Sequence, residues 1–328
     1  MNGIERAAGA AILGVAVLVG VACSRVTPPP PTSAVSPSVD ATLLGTFDHV
    51  VVVVLENENA QTVLAVPAMD TLAQQGVLLA NYYAVAHPSY PNYLALVSGH
   101  TFMGGDSQAR HDPDAYRALD LGDAQLEIDA PTIIDGFDAK GLSWDVFAED
   151  YPDTSRAPTH CDFRRQSGLY ARKHVPFLSF TEFRAHPAWC QHVRNLRWLS
   201  RDSLAAYTFI APNLKHDGHD APLDTAVTWL RAFLSPILAD SATMKRTLVV
   251  ITFDEAANPL TEVLFGNQPN RIYTVLQGGM LLRGHRSDRQ YSHLSLLRTV
   301  EDNFGLPHLE PATVVPITDV WQTATPGK

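Results

Sequence analysis

No run of clustered lysines or arginines occurs anywhere in the chain, and the formal net charge is −10. That argues against a nucleic-acid partner, because a phosphate backbone is held by grouped cations. It leaves open a small phosphate ester held through a metal ion. Charged residues make up only 18% of the chain against 46% hydrophobic, which excludes a disordered protein and fits a substantial core. No internal repeat is visible, so a solenoid is not indicated. Cysteine is scarce: Cys23, Cys161 and Cys190 are the three present, and an odd number leaves one unpaired. The apolar run from Ala7 to Ala22 is short for a membrane span. A length of 328 residues is ample for one large α/β domain or two small ones.

The odd cysteine has an explanation at the N-terminus. Residues 1–22 have the form of a secretory signal, with Arg6 ahead of an Ala-, Gly- and Val-rich stretch. Gly20-Val21-Ala22-Cys23 resembles the lipidation signal of bacterial lipoproteins, with Cys23 as the acylated residue. An ordinary cleaved signal or a retained anchor is the alternative. Residues 24–42 are rich in Pro, Ser and Thr and read as an extended, semi-rigid tether. The predicted domain is then 43–328, held at a membrane by a lipid anchor or secreted. Export implies an oxidising compartment, where Cys161 and Cys190 can pair; two buried thiols are the alternative.

Val50-Val51-Val52-Val53-Val54-Leu55 carries no polar alternation and reads as a strand buried on both faces, typical of a parallel sheet. It stops abruptly at Glu56-Asn57. A second apolar strand, Thr247 to Phe253, stops at Asp254-Glu255. A third, Tyr207 to Pro212, runs into Asn213, His216, Asp217, His219 and Asp220. Further strands are predicted at Val77–Tyr83, Trp144–Ala148 and Thr274–Leu276, the last followed by a hairpin-like segment at Gly278-Gly279. Helices are predicted from about Ala68 to Gly76, over Leu94–Val97, from Ile133 to near Gly141, over Val227–Leu238 and over Ser292–Phe304. Gly104 to Ala130 reads as a polar surface excursion, and Asp150 to Gln191 as an irregular insertion over one end of the sheet.

In open α/β sheets, ligands bind outside the carboxyl ends of the strands. Several acidic strand ends at one rim are difficult to explain by capping alone. Crowded carboxylate and amide oxygens stay in conflict unless protons or a cation intervene, and a divalent metal is the economical solution. Ser89 lies in a turn entering a helix, where backbone N–H groups and the helix dipole favour an anion. It reads equally as a nucleophile activated by a metal or as a helix-capping hydroxyl. His174 in a loop and His293 at a helix start read first as a surface residue and a polar first turn.

Six stretches, taken together and in order, resemble one family. They are Val-Val-Val-Leu-Glu-Asn at 52–57, His-Pro-Ser-Tyr-Pro-Asn-Tyr at 87–93, Lys-His-Val-Pro at 173–176, Pro-Asn-Leu-Lys-His-Asp-Gly-His-Asp at 212–220, Phe-Asp-Glu at 253–255 and Tyr-Ser-His-Leu-Ser-Leu-Leu-Arg-Thr-Val-Glu-Asp at 291–302. The pattern is similar to the phosphoesterase family of acid phosphatases and non-specific phospholipases C, within the alkaline phosphatase superfamily. The resemblance implies an alkaline-phosphatase-like three-layer sandwich, with a central, mainly parallel sheet flanked by helices. It implies that Glu56, Asn57, Asp254 and Glu255 hold one divalent metal together with Ser89. Ser89 would be the nucleophile and carry a phosphoseryl intermediate. His174 and His219 would face the phosphoryl oxygens, with Asp220 orienting His219 and with Asp217 and His293 in supporting places. Two positions depart from the pattern: Glu58-Asn59-Ala60 follow Glu56-Asn57 where Arg or His, Ser and Phe are common, and Val175 replaces a common asparagine. The short chain favours a phosphomonoesterase acting on a small phosphate ester. The alternatives are a phosphodiesterase or phospholipase C acting on lipid headgroups, and a non-catalytic envelope lipoprotein.

Overall fold

In the computed structural model of the chain, the described residues are 43–103, 106, 127–257 and 270–322. Cys23, the segment 1–22, the tether 24–42 and most of the excursion from Gly104 lie outside them.

The valine run forms β1 (His49–Leu55) near the middle of an eight-stranded sheet. It pairs parallel with β8 (Thr247–Phe253) on one side and with β7 (Tyr207–Ala211) on the other. Val50 to Leu55 and all of β8 are buried, because both faces of the sheet are covered. β-Branched side chains suit such a strand, since they pack tightly on the pleat and lose little rotamer freedom there. Beyond β7 come β3 (Trp144–Ala148) and β6 (Val193–Asn195), both parallel. Beyond β8 come β9 (Thr274–Gln277), β2 (Val77–Tyr83) and the edge strand β10 (His285–Ser292). Within the eight-stranded sheet, β9 alone among the described strands runs antiparallel to its neighbours. This is the flanked, mostly parallel sheet that the sequence predicts.

Helix Ser89–Ser98 packs against helices His293–Phe304 and Ile133–Ala139. Helices Pro67–Gln75 and Leu223–Ala239 line a common groove. The insertion from Asp150 to Gln191 is irregular, as expected: a two-stranded ribbon, β4 (Gln166–Ser167) with β5 (Tyr170–Ala171), and short 3-10 turns. A disulfide joins Cys161 to Cys190.

One feature differs from the sequence reading. No hairpin follows β9: the chain turns through Gly278-Gly279 and β10 pairs with β2, on the side of β2 away from β9. β10 reads His-Arg-Ser-Asp-Arg-Gln-Tyr-Ser and carries no apolar alternation because its outer edge faces solvent; charged edges of this kind discourage pairing with other chains. At the end of the final helix, Glu301 and Asp302 stand apart from the rim where the other motifs gather. They are fully buried, with Arg298 bonded to Asp302 and Glu310 and His308 bonded to Asp302. Glu301 also accepts from the backbone N–H of Leu309. This part of the family pattern ties down the segment that follows Gly305.

Burial, and then the hydrogen bond and charge of Glu310, push the Glu301 carboxyl up to about 11 from an ordinary 4.5. The folded chain therefore keeps that proton while the unfolded chain releases it above about pH 4.5, so the stability it contributes is fully present below that pH and lost as pH rises towards 11. Glu301→Gln should flatten the fall of the thermal midpoint between pH 5 and pH 9, measured by circular dichroism. An unchanged slope contradicts the assignment.

Candidate active site

The registers of β1, β7 and β8 bring three polar strand ends together. Leu55 pairs with Phe253, so Glu56-Asn57 and Asp254-Glu255 leave the sheet side by side, one strand spacing apart. The backbone continues the ladder past the last apolar residues: Asp254 N–H donates to the Leu55 carbonyl and Glu56 N–H to the Asp217 carbonyl. Asn57 adopts a left-handed φ of 53°, and its N–H turns onto Asp254 Oδ1 at 3.0 Å. Gly218 has a φ of 105°, and a Cβ there would lie 3.2 Å from the Glu56 carbonyl oxygen. Only glycine lets the loop after β7 fold this closely over the end of β1.

Ser89 reaches the same rim from β2. It is the first residue of helix Ser89–Ser98, after a cis His87-Pro88 bond. The turn ahead of it is clamped by Asn92, whose Oδ1 accepts from the N–H groups of Val85 and Ala86, both at 2.9 Å. Pro91 sits in the first helical turn, where its missing N–H leaves no hydrogen bond unmade. The Ser89 hydroxyl lies 3.0 Å from Glu56 Oε2 and 3.0 Å from Glu255 Oε1, with the Asn57 amide 3.4 Å away. A hydroxyl has one proton and can donate it to only one of those carboxylates.

His174 is buried against the other side of Glu56. Its Nε2 is 2.9 Å from Glu56 Oε1, and its Nδ1 is 3.9 Å from Asp217 Oδ2. The first contact is electrostatic, since the angles fail and neither atom completes a directed hydrogen bond. The Tyr93 ring lies parallel to the imidazole at 5.3 Å and fixes its plane. His219 and Asp220 stand at the half-exposed mouth, with His219 Nδ1 at 2.6 Å from Asp220 Oδ1. The His219 N–H is accepted by Asp217 Oδ1. His293 is fully buried and does not face the cleft. Its Nε2–H donates to the Asp254 carbonyl at 2.7 Å, and its other nitrogen meets the Tyr82 hydroxyl. Burial lowers His293 to about 4, so it is a neutral prop for the Asp254 backbone.

The charges here are unevenly balanced. Burial alone would raise Glu56, but the His174 charge and contact, with Lys173 and the Tyr93 hydroxyl, hold it well below the usual carboxylate range. Asp254 goes the other way: burial, then the Glu56 and Glu255 charges, push it well up. Asp217 is raised by burial and by Glu56, partly offset by His174. Buried oxygens on three of these acids have no hydrogen-bond partner: Glu56 Oε1, Asp217 Oδ2 and Asp254 Oδ2.

This donor set fits a hard divalent cation. Three buried carboxylates and a hydroxyl present oxygen donors, the Asn57 amide turns its nitrogen to Glu56 and Ser89, and a cation would satisfy the carboxylate oxygens left without a hydrogen bond. Among the described residues, no three His, Cys, Asp or Glu side chains come together as a ready metal-holding group. Ser89, Glu56, Asn57, Asp254, Glu255 and His174 are thus brought together, His219, Asp217 and Asp220 form one flank, and His293 stands behind. Sequence reasoning quoted Asn92, Tyr93 and His87 in the serine motif without giving them work. Asn92 holds the turn, Tyr93 stacks under His174, and His87 contacts Glu255. Tyr93 was findable: it lies one helical turn after Ser89 and so shares its face.

Residues 59–307 match the model of the Phosphoesterase family. The chain is 31% identical to a probable acid phosphatase of Kluyveromyces lactis and 32% identical to a phosphate-repressible acid phosphatase of Penicillium chrysogenum. Both matches span 80% of this chain but only 59% and 60% of those longer proteins. It is 32% identical to a phosphatidylinositol-3-phosphatase of Mycobacterium tuberculosis, over 86% of this chain and 85% of that one. Among solved structures, a protein in the alkaline phosphatase superfamily from Vibrio parahaemolyticus aligns with a TM-score of 0.53 at 11% identity, over 84% of this chain and 72% of the other. That likeness speaks to the fold alone.

The like-charge crowding has a measurable consequence. Asp254 has a raised folded pKa, so in metal-free protein its contribution to stability is lost as pH rises through that value. Asp254→Asn mimics the protonated form. At pH 7.5 and without metal it should stabilise the fold by about 1–3 kcal/mol, the scale of one unsatisfied buried polar group. Thermal melts in excess chelator check this, and a lower midpoint for the variant contradicts it.

Proposed function

This chain belongs to the phosphoesterase family, and on that premise we propose that it is a metal-dependent phosphomonoesterase using Ser89 as nucleophile. The observation that supports this most directly is the Ser89 hydroxyl held between two buried carboxylates at a helix N-terminus. Glu56, Asn57, Asp254 and Glu255 would hold one divalent ion together with the Ser89 oxygen. Such an ion supplies positive charge that lowers the serine pKa and offsets charge on the phosphoryl oxygens.

The rest is the work of the chain itself. Ser89 Oγ, held at the helix start between Glu56 and Glu255, attacks phosphorus; the bond to the ester oxygen breaks and the alcohol leaves. With its pKa lowered, the serine releases its proton to water before attack. His174, fixed by Tyr93 and Glu56, faces a phosphoryl oxygen. His219, oriented by Asp220 at the exposed mouth, is placed to protonate the leaving alcohol. Water then attacks the phosphoserine, releases phosphate and restores the hydroxyl. The positive end of helix Ser89–Ser98 favours the anion throughout.

A second reading keeps the chemistry and changes the ester. The mycobacterial relative, which matches most of both chains, is named for removing phosphate from a lipid headgroup. A phosphorylated lipid headgroup is therefore the alternative substrate to a small soluble ester. Cleavage of a diester at the same headgroup stands behind it. The Cys161–Cys190 disulfide supports export to an oxidising compartment, in keeping with the signal-like segment 1–22 and lipidation at Cys23. Among the described residues, no helix is long and apolar enough to cross a membrane.

Stripping the purified protein with a chelator should abolish hydrolysis of p-nitrophenyl phosphate, and one divalent ion should restore it. Undiminished turnover in excess chelator, with no metal detected by elemental analysis, overturns the reading. Ser89→Ala should lose on the order of 10⁴-fold or more in kcat, together with any acid-trapped phosphoserine. Running the same assay on bis-p-nitrophenyl phosphate and on vesicles containing phosphatidylinositol 3-phosphate separates the ester classes.

A further inference from the structure

Glu255 has both carboxylate oxygens engaged by one short turn. Oε1 is 3.0 Å from the Ser89 hydroxyl, and Oε2 is 2.5 Å from His87 Nδ1. Glu255 is almost completely buried, whereas the His87 side chain is 31% exposed at the rim. The two contacting residues lie two positions apart, on either side of Pro88. His87 is not free to drift. The turn carrying it is held by Asn92 at Val85 and Ala86, and the Asn270 side chain donates to the Ala86 carbonyl. Asn270 also accepts from the N–H of Ala256, the residue after Glu255. One asparagine therefore locks the β2 exit to the β8 exit, and the His87–Glu255 contact bridges the same two segments.

Glu255 needs such a partner. It follows β8 in a bend with no helix to restrict its rotamers, and its side chain is long enough to swing. A carboxylate that ligates a metal from such a place is held in plane only by a second group on its other oxygen. Nδ1 can carry a proton and donate in either charge state of the ring, so this role does not depend on titration.

We propose that His87 is a positioning residue that fixes the Glu255 carboxylate, so that Oε1 faces the seryl oxygen and the cation site. This rests on the reading of Glu255 as a metal ligand. His87 itself neither ligates nor transfers the phosphoryl group.

The test measures binding rather than turnover. Chelator-stripped full-length wild type, His87→Ala and His87→Asn are titrated with Mn²⁺, Zn²⁺ and Ca²⁺ by calorimetry, and metal-free melts are recorded in parallel. Asparagine places its amide nitrogen where Nδ1 stands. His87→Ala should weaken the tightest-binding ion by about 10–100-fold, the usual effect of losing a group that orients a ligand. His87→Asn should recover most of that loss, and the metal-free midpoints should stay together. Wild-type affinity in His87→Ala, or no recovery in His87→Asn, overturns the proposal and leaves the phosphoesterase reading standing. If His87→Ala does not fold, the His87→Asn titration decides alone, with affinity within a few-fold of wild type expected and a loss of 10-fold or more overturning the proposal. If the wild type binds none of the three ions, the metal reading falls and this proposal with it.

Discussion

One hydroxyl proton shared between two buried carboxylates is the constraint around which this molecule is arranged. Ser89 cannot donate to Glu56 and Glu255 at once, and Asp254 adds a third acid within the same shell. Burying such a set is expensive unless positive charge arrives, because the desolvated charges repel and their lone pairs go unused. The fold supplies some relief through His174 and Lys173 on Glu56, and through the Asn57 N–H on Asp254. It leaves buried oxygens of Glu56, Asp254 and Asp217 without a hydrogen bond. The proposed divalent ion would supply the positive charge that the polypeptide does not provide there.

The sheet makes the crowding unavoidable. Parallel strands put their carboxyl ends on one rim, and the register of β1 against β8 sets Glu56 beside Asp254. The five valines of β1 are interchangeable under a one-residue slip, so the register is set at the strand's ends, where a slip would draw Glu56 into the apolar layer. The boundary between apolar run and polar end therefore brings the acids together. Residues outside the rim hold the backbone of the site in place: His293 under Asp254, Gly218 over Glu56, Asn92 inside the serine turn. The segment Ser292–Asp302 serves at a distance, with His293 propping Asp254 and Glu301-Asp302 anchoring the chain after Gly305.

What was readable in the sequence was whatever depended on local pattern. β1 and β8 announce themselves through unbroken apolar runs, and their polar terminations mark the rim. The serine turn is legible because two prolines and an asparagine restrict it. β10 was not legible, since its pairing with β2 depends on a tertiary edge and its own residues are polar. β6 has only three residues and no periodicity to detect. The place of His293 could not be read either: a polar residue opening a helix looks exposed until the strand ends close over it. The stack of Tyr93 on His174 joins segments 81 positions apart, and only the folded chain brings them into contact.

The most direct measurement is anomalous scattering from a crystal of the protein soaked in Mn²⁺ or Zn²⁺, recorded above and below the metal edge. The account predicts one strong peak within coordination distance of Glu56, Asp254, Glu255 and the Ser89 oxygen. A crystal saturated with the ion but showing no peak there, or showing its main peak away from Ser89, would contradict it.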